Sequence, residues 1–137
     1  MLRWIVLATL AVTPARAATL EIVVGNVRDI RGKVLVSVCN PQRFLSEYCE
    51  FNGQSVAHPG EVVVAVPNVP PGTYAVQAFL DDDGDERIRR NWLGMPREGI
   101  GFSNDAPFRF GPPSFGDAAF TLGPAGGRIR LNLRYFD

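Results

Sequence analysis

Short segments of alternating apolar and polar residues are the feature that most constrains the fold. Residues 128–135 read Arg-Ile-Arg-Leu-Asn-Leu-Arg-Tyr, so an apolar side chain occupies every second position. That period of two is typical of a β-strand with one buried face and one face in water. Residues 20–24, 33–39, 54–56, 61–66, 73–79 and 118–122 carry shorter versions of the pattern.

Turns rich in Gly and Pro separate these segments, and no segment sustains the 3.6-residue period of a helix. The sequence therefore predicts an all-β fold, a single antiparallel β-sandwich of about seven strands, Ig-like or transthyretin-like, with one long ordered loop. We expect five residues to line its core: Val64, Val66, Tyr74, Val76 and Ala78. The Arg side chains of residues 128–134 should form a solvated face, with an anion site as the alternative.

The first residues have the pattern of a secretory signal. A positive start is followed by an apolar run over residues 4–12 and by Ala15-Arg16-Ala17, a small-x-small cleavage pattern. We predict a signal peptide over residues 1–17 and one domain over residues 18–137. A membrane anchor is the alternative, but it needs roughly 20 apolar residues. The mature protein should be periplasmic or secreted, with no membrane span after cleavage.

The charge balance excludes one class of partner. The chain has 14 basic and 14 acidic residues, and the predicted signal removes Arg3 and Arg16 but no acid. A general nucleic-acid binder would show a clustered basic excess. We therefore expect no nucleic-acid partner.

The two cysteines are expected to pair. Cys39 and Cys49 would meet an oxidising compartment after export, where a disulfide persists. The bond would close a short loop and contribute on the order of 3 kcal/mol. Two free thiols are the alternative.

An acidic cluster follows the fifth predicted strand. Asp81, Asp83 and Asp85 have the first, third and fifth spacing of a Ca²⁺ loop. The later positions depart from that pattern, because Glu86 replaces the usual Gly and Trp92 replaces the bidentate acid. Three cations also adjoin the cluster: Arg87, Arg89 and Arg90. A weak Ca²⁺ site at Asp81, Asp83 and Asp85 and a metal-free loop of Asp–Arg pairs both remain open.

The long loop after the acidic cluster carries many large apolar residues between glycines and prolines. A solvated linker would not, so this segment must pack, either as a cover over a sheet edge or as a binding surface. The candidate binding residues are Trp92, Phe102, Asn104, Phe110 and Phe115.

Several runs of residues identify a family. Residues 69–76 read Val-Pro-Pro-Gly-Thr-Tyr-Ala-Val, which resembles the turn and strand of transthyretin-like and carboxypeptidase-regulatory-like sandwiches. Residues 81–85, 91–96, 99–104 and 109–115, including Gly-Phe-Ser-Asn and Gly-Pro-Pro-Ser-Phe, resemble the bacterial exported family DUF2141. The resemblance covers the whole mature chain. It implies a single exported β-sandwich and no established activity.

These observations predict a monomeric, non-enzymatic module that binds an envelope protein or glycan through residues 81–116, without a required cofactor. One alternative is a structural domain with an optional weak Ca²⁺ clamp. Another is a small hydrolase that uses the acidic cluster and His58, although a general base must lie within hydrogen-bond reach of its partner. Ser103 and Ser114 lack a nucleophile-elbow sequence, so we expect no serine hydrolase.

Overall fold

The computed structural model describes residues 17–46, 49–81 and 99–136. This part of the chain contains a 3-10 turn, Ser103–Asp105, and a short helix α1, Phe115–Ala118. Its eight strands are β1 (Ala18–Val27), β2 (Lys33–Cys39), β3 (Phe51–Val56), β4 (Gly60–Val69), β5 (Gly72–Asp81), β6 (Ile100–Phe102), β7 (Phe120–Leu122) and β8 (Gly127–Asn132). Strand β1 begins directly after the predicted signal peptide, of which residues 1–16 lie outside the described residues.

Two sheets pack face to face, which confirms the predicted β-sandwich. One sheet has the order β4-β1-β8. The other has the order β3-β2-β5-β6, and β7 pairs with the first residues of β5, on the edge where β6 pairs with its later residues.

One strand pair departs from the predicted antiparallel arrangement, because β1 and β8 are parallel. The chain path explains this. Strand β7 ends at Leu122, opposite Gly72. Gly72 closely follows Val69, which lies opposite Ala18, the first residue of β1. The end of β7 and the start of β1 are therefore at the same end of the sandwich. The turn to β8 therefore delivers the chain to the beginning of β1, and β8 runs alongside in the same direction.

The main core lies between the sheets and is formed by the inward residues of both. Val64, Val66, Tyr74, Val76 and Ala78, the predicted core residues, are all buried there. Ile22, Val24, Val34, Val36, Val38 and Leu131 join them. The alternation of apolar and polar residues in the sequence therefore predicts correctly which side chains of β4 and β5 point into the core.

The edge between β6 and β8 closes tightly. Backbone hydrogen bonds join Ile100 and Arg134 in both directions, at 2.9 and 2.8 Å. Gly101 faces the sandwich interior there. A Cβ atom at Gly101 would lie 2.5 Å from the Asn132 carbonyl oxygen and 2.9 Å from Leu131 Cδ1. Close approach of two strands from different sheets therefore requires glycine at this position.

The charged side chains of β8 lie on the outer, solvated face of the three-stranded sheet, as predicted. Arg128 pairs with Glu21, and Arg130 pairs with Glu61. Because β1 lies between β8 and β4, the Arg130–Glu61 pair crosses the central strand above Val23, which is only 6 % exposed. Two of the Arg side chains considered for an anion site thus already have carboxylate partners.

Tyr74 lies where β5 enters the core. Its hydroxyl donates a hydrogen bond to the Pro70 carbonyl at 2.8 Å, and its ring packs edge-on against Phe51. Burial raises the pKa of the Tyr74 phenol above its ordinary value, and the negative charge of Glu50 raises it further.

The predicted disulfide between Cys39 and Cys49 is present. Such bonds persist in oxidising compartments, which is consistent with an extracytoplasmic location. No helix in the described ranges is long and apolar enough to cross a membrane.

A second apolar cluster covers the outer face of the five-stranded sheet. Ala75 lies at its base on β5, and residues 99–118 fold over it. The cluster contains Ile100, Phe102, Ala106 and Ala118, with Phe44, Phe108, Phe115 and Phe136 against them. The described part of the long loop is therefore packed, as the apolar content predicted.

Candidate binding surface

The predicted metal ligands are described only in part. Asp81 is the last residue of β5 and is buried. Asp83 and Asp85 lie outside the described residues, as does Trp92. Within residues 17–46, 49–81 and 99–136, no three His, Cys, Asp or Glu side chains come together in a way that could hold a metal ion. The Ca²⁺ site stays a prediction.

His58 lies in the turn between β3 and β4, where it is exposed and its Nδ1 atom is 3.3 Å from the Pro59 carbonyl oxygen. Val56 and Asp81 lie opposite Lys33 on the two sides of β2. Two strand spacings therefore separate Val56 from Asp81, about 10 Å. The fold places His58 and Asp81 at the same end of the sandwich, with β2 lying between β3, which precedes His58, and β5, which ends at Asp81.

The Ser103 side chain hydrogen-bonds to backbone groups at a place on the β5 edge where no described strand pairs. On one edge of β5, β7 pairs with residues 72–74 and β6 with residues 77–79. The Ser103 hydroxyl lies between the two short strands, where it accepts a hydrogen bond from the Val76 N–H at 2.9 Å and donates one to the Ala118 carbonyl. Ser103 is buried, so these bonds satisfy backbone groups that water does not reach.

The next two residues continue this attachment with side chains that bond to backbone. The Asn104 amide donates to the carbonyls of Asp117 and Ala119, at 3.3 and 2.9 Å. The Asp105 carboxylate accepts from the Asn132 N–H at 2.8 Å. Both residues have positive φ, near 61° and 48°, a conformation that Asn and Asp adopt more readily than other side chains do. The predicted binding residue Asn104 thus also holds the loop in place.

Three phenylalanines join distant segments into one unit. Phe44, from the disulfide-closed loop, meets Phe102 and Phe115 edge-on, each with ring centroids 5.9 Å apart. Phe102 is buried and Phe115 is half-buried. The same loop is tied to β5 by Gln77, which accepts from the Leu45 N–H and donates to the Ser46 carbonyl. Phe102 and Phe115, two of the predicted binding residues, therefore pack within the cluster that covers the five-stranded sheet.

Phe110 differs from Phe102, Phe108 and Phe115 because its side chain is fully exposed. Its φ is 48°, in the left-handed region that bulky residues rarely adopt. Gly111 and two prolines follow it directly. Backbone strain of this kind persists only where the surroundings impose it, and it is concentrated at functional sites.

A shallow groove of about 390 Å³ lies beside the 3-10 turn. Its lining combines polar and ring-shaped apolar side chains: Asn104, Ala106, Pro107, Arg109, Pro112, Pro113, Ser114 and Asp117. Ser114 caps α1 by accepting a hydrogen bond from the Asp117 N–H at 3.2 Å. The groove wall is therefore held by local bonds.

The groove is lined by one positive and one negative side chain that form no ion pair within the described part of the chain. Arg109 and Asp117 both line it, and neither forms an ion pair with a described residue. Arg128 and Arg130, on the opposite side of the sandwich, do have carboxylate partners. A guanidinium donates up to five N–H groups and a carboxylate only accepts. The groove thus offers both hydrogen-bonding roles to a ligand.

The sequence profile of one family matches residues 22–130. The chain belongs to the DUF2141 family. That family is described as an uncharacterized protein conserved in bacteria. The DUF2141 match extends from β1 into β8 and so contains the groove, and the identification made from sequence motifs is confirmed. No curated protein and no solved structure matches the chain.

Sequence reasoning did not select Phe44, Arg109 or Asp117 in this DUF2141 chain. Phe44 lies between the two cysteines, but nothing in that loop shows which face it reaches. Ser114 and Asp117 have the spacing of a helix cap, a signal that predicts α1. The prediction of a strand over residues 118–122 was too long for this reason, since α1 ends at Ala118 and β7 begins at Phe120.

Proposed function

We propose that this DUF2141 domain is an exported, non-enzymatic binding module that attaches to a macromolecule of the cell envelope, a protein or a glycan. The contact surface is Phe110 together with the adjoining groove. The observation that carries this proposal is the full exposure of Phe110 on a strained backbone, whereas Phe102 is buried and Phe108 and Phe115 are half-buried.

The energetics support a binding role for Phe110. An exposed phenyl ring gains nothing from folding, whereas burying it against a partner contributes about 1.5 to 3 kcal/mol. Two neighbouring features reduce the cost of ordering the loop on binding: the prolines at positions 112 and 113 and the hydrogen bonds of Asn104. The backbone on both sides of Phe110 is thus restrained before a partner arrives.

The placement of the polar residues supports a role other than catalysis. The Ser103 hydroxyl is engaged with two backbone groups, and Asp105 is bonded to the backbone of β8. A serine nucleophile needs a base beside it, and His58 belongs to a turn at the end of the sandwich.

Retention of the purified domain on an envelope fraction tests the proposal. We expect Phe110→Ala to reduce retention about tenfold, the equivalent of 1.4 kcal/mol. Ile30→Ala is the matched control, because Ile30 is also apolar and exposed but lies in the turn between β1 and β2. Equal retention of wild type and Phe110→Ala would contradict the proposal.

A further inference from the structure

We propose that the groove beside Phe110 binds a neutral, polyhydroxylated glycan. This inference rests on the proposed function and names the chemical class of its ligand. Two properties of the groove carry it, matched hydrogen-bonding roles and balanced charge, together with the exposed ring of Phe110, the residue that follows Arg109 in the chain.

The hydrogen-bonding roles of the groove match those of sugar hydroxyls. Each hydroxyl both donates and accepts. Arg109 supplies donors, and the Asp117 carboxylate supplies acceptors. The Ser114 hydroxyl accepts from the backbone, and no described residue accepts its proton. The hydroxyls of one oligosaccharide can therefore find both donors and acceptors in the groove.

The charge of the groove favours a neutral ligand. Arg109 and Asp117 have opposite charges and both line it, so their long-range fields cancel. A polyanion would gain attraction from Arg109 and lose it to Asp117. A neutral ligand keeps both hydrogen bonds to charged groups, which are stronger than bonds between neutral groups.

Phe110 supplies the apolar part of the site. Sugar rings carry faces of C–H groups, which pack against the faces of aromatic rings. Phe110 follows Arg109 in the chain, and Arg109 lines the groove together with the prolines at positions 107 and 112. A ligand with an apolar face and polar edges would place the face on the Phe110 ring and the edges in the groove.

A protein partner suits the same groove less well. The buried centre of a protein interface is apolar and poor in charged residues. Here a guanidinium and a carboxylate that form no ion pair with a described residue line the groove itself, and a protein would have to desolvate both. The shallow groove also keeps both groups accessible to water, which bridges sugars and proteins at little cost.

Titration calorimetry with three neutral oligosaccharides, N-acetylated chitotetraose, maltotetraose and cellotetraose, tests the inference. We expect saturable binding to at least one of these glycans. Phe110→Ala, Arg109→Ala and Asp117→Asn should each weaken it about tenfold, since each removes a ring contact or a charge-assisted hydrogen bond. Ile30→Ala and Arg31→Ala, in the turn between β1 and β2, should leave it unchanged. Urea unfolding of each variant establishes that the fold is intact.

Three results would overturn the inference. These are the absence of binding to all three glycans at millimolar concentration, binding that the groove variants leave unchanged, and binding of the polyanion heparin that is tighter than that of every neutral glycan. If no glycan binds but retention on the envelope still depends on Phe110, the partner is a protein and the proposed function stands. If retention does not depend on Phe110, the proposed function fails as well.

Discussion

Replacement of Ser103 by Ala tests the structural role of the most unusual polar side chain in the fold. The change removes one oxygen atom and leaves the backbone as it is. It breaks two hydrogen bonds at once, from the Val76 N–H and to the Ala118 carbonyl. Because Ser103 is only 1 % exposed and both partner residues are fully buried, water cannot readily replace the lost partner.

The expected destabilisation follows from those two bonds. A buried backbone group that loses its partner costs about 1 to 3 kcal/mol. Two such groups give a loss of about 3 kcal/mol in the free energy of unfolding. A domain of this size has about 5 to 15 kcal/mol of stability. The Ser103→Ala protein should therefore fold, but with a large part of its stability lost.

Urea unfolding at 25 °C, with the disulfide intact, measures the loss. With a denaturant dependence of about 1 to 3 kcal/mol per molar urea, the midpoint should fall by about 1 to 3 M. Amide hydrogen exchange gives a local readout, because the Val76 N–H should lose protection more than the amides of β1 do.

Ser114→Ala is the matched control. The Ser114 hydroxyl also accepts from a backbone N–H, but it is exposed, so its loss should cost about 1 kcal/mol or less. If Ser103→Ala cost less than about 0.5 kcal/mol and kept Val76 protected, the argument from buried unsatisfied groups would be refuted.

Three further predictions concern the core and the disulfide. Gly101→Ala should lower the free energy of unfolding by about 2 kcal/mol or more, because its Cβ would overlap β8. Gly123→Ala is the control, because a Cβ there meets open space, and it should leave the free energy of unfolding unchanged. Equal urea midpoints for the two variants would contradict this prediction. Replacing Cys39 and Cys49 together by Ala should cost about 3 kcal/mol; an unchanged midpoint would contradict that. Since the pKa of Tyr74 is raised on folding, its contribution to stability is present below about pH 10 and is lost as pH rises through the folded pKa. Unfolding measured from pH 8 to 12 should show this fall, and Tyr74→Phe should reduce it.

The main sandwich was predictable because its signal is local. A period of two tells which side chains of a strand are inward, whatever the strand pairs with. Residues 128–135 show this: Leu131 and Leu133 are buried, while Arg128 and Arg130 are exposed. The parallel pairing of β1 and β8 was not predictable in this way, because alternation is the same in both orientations.

The second layer was predictable only as a packed segment. Apolar content showed that the long loop must bury its rings, but Phe102 and Phe110 look alike in sequence. Phe102 lies on β6 opposite Gln77 and is buried on the outer face of the sheet, whereas Phe110 has a positive φ and is fully exposed. That distinction depends on attachments at Ser103 and Asn104, which join residues 13 to 27 positions apart.

The way this layer is built decides how binding and stability can be separated. Phe44, Phe102 and Ser103 hold the layer on β5, so substitutions there should loosen the groove and lower the free energy of unfolding together. Phe110 and Arg109 are exposed on its rim and contribute to neither cluster. Substitutions at the rim should leave the unfolding midpoint unchanged. A loss of ligand binding there can therefore be assigned to the surface itself, and not to a weakened fold.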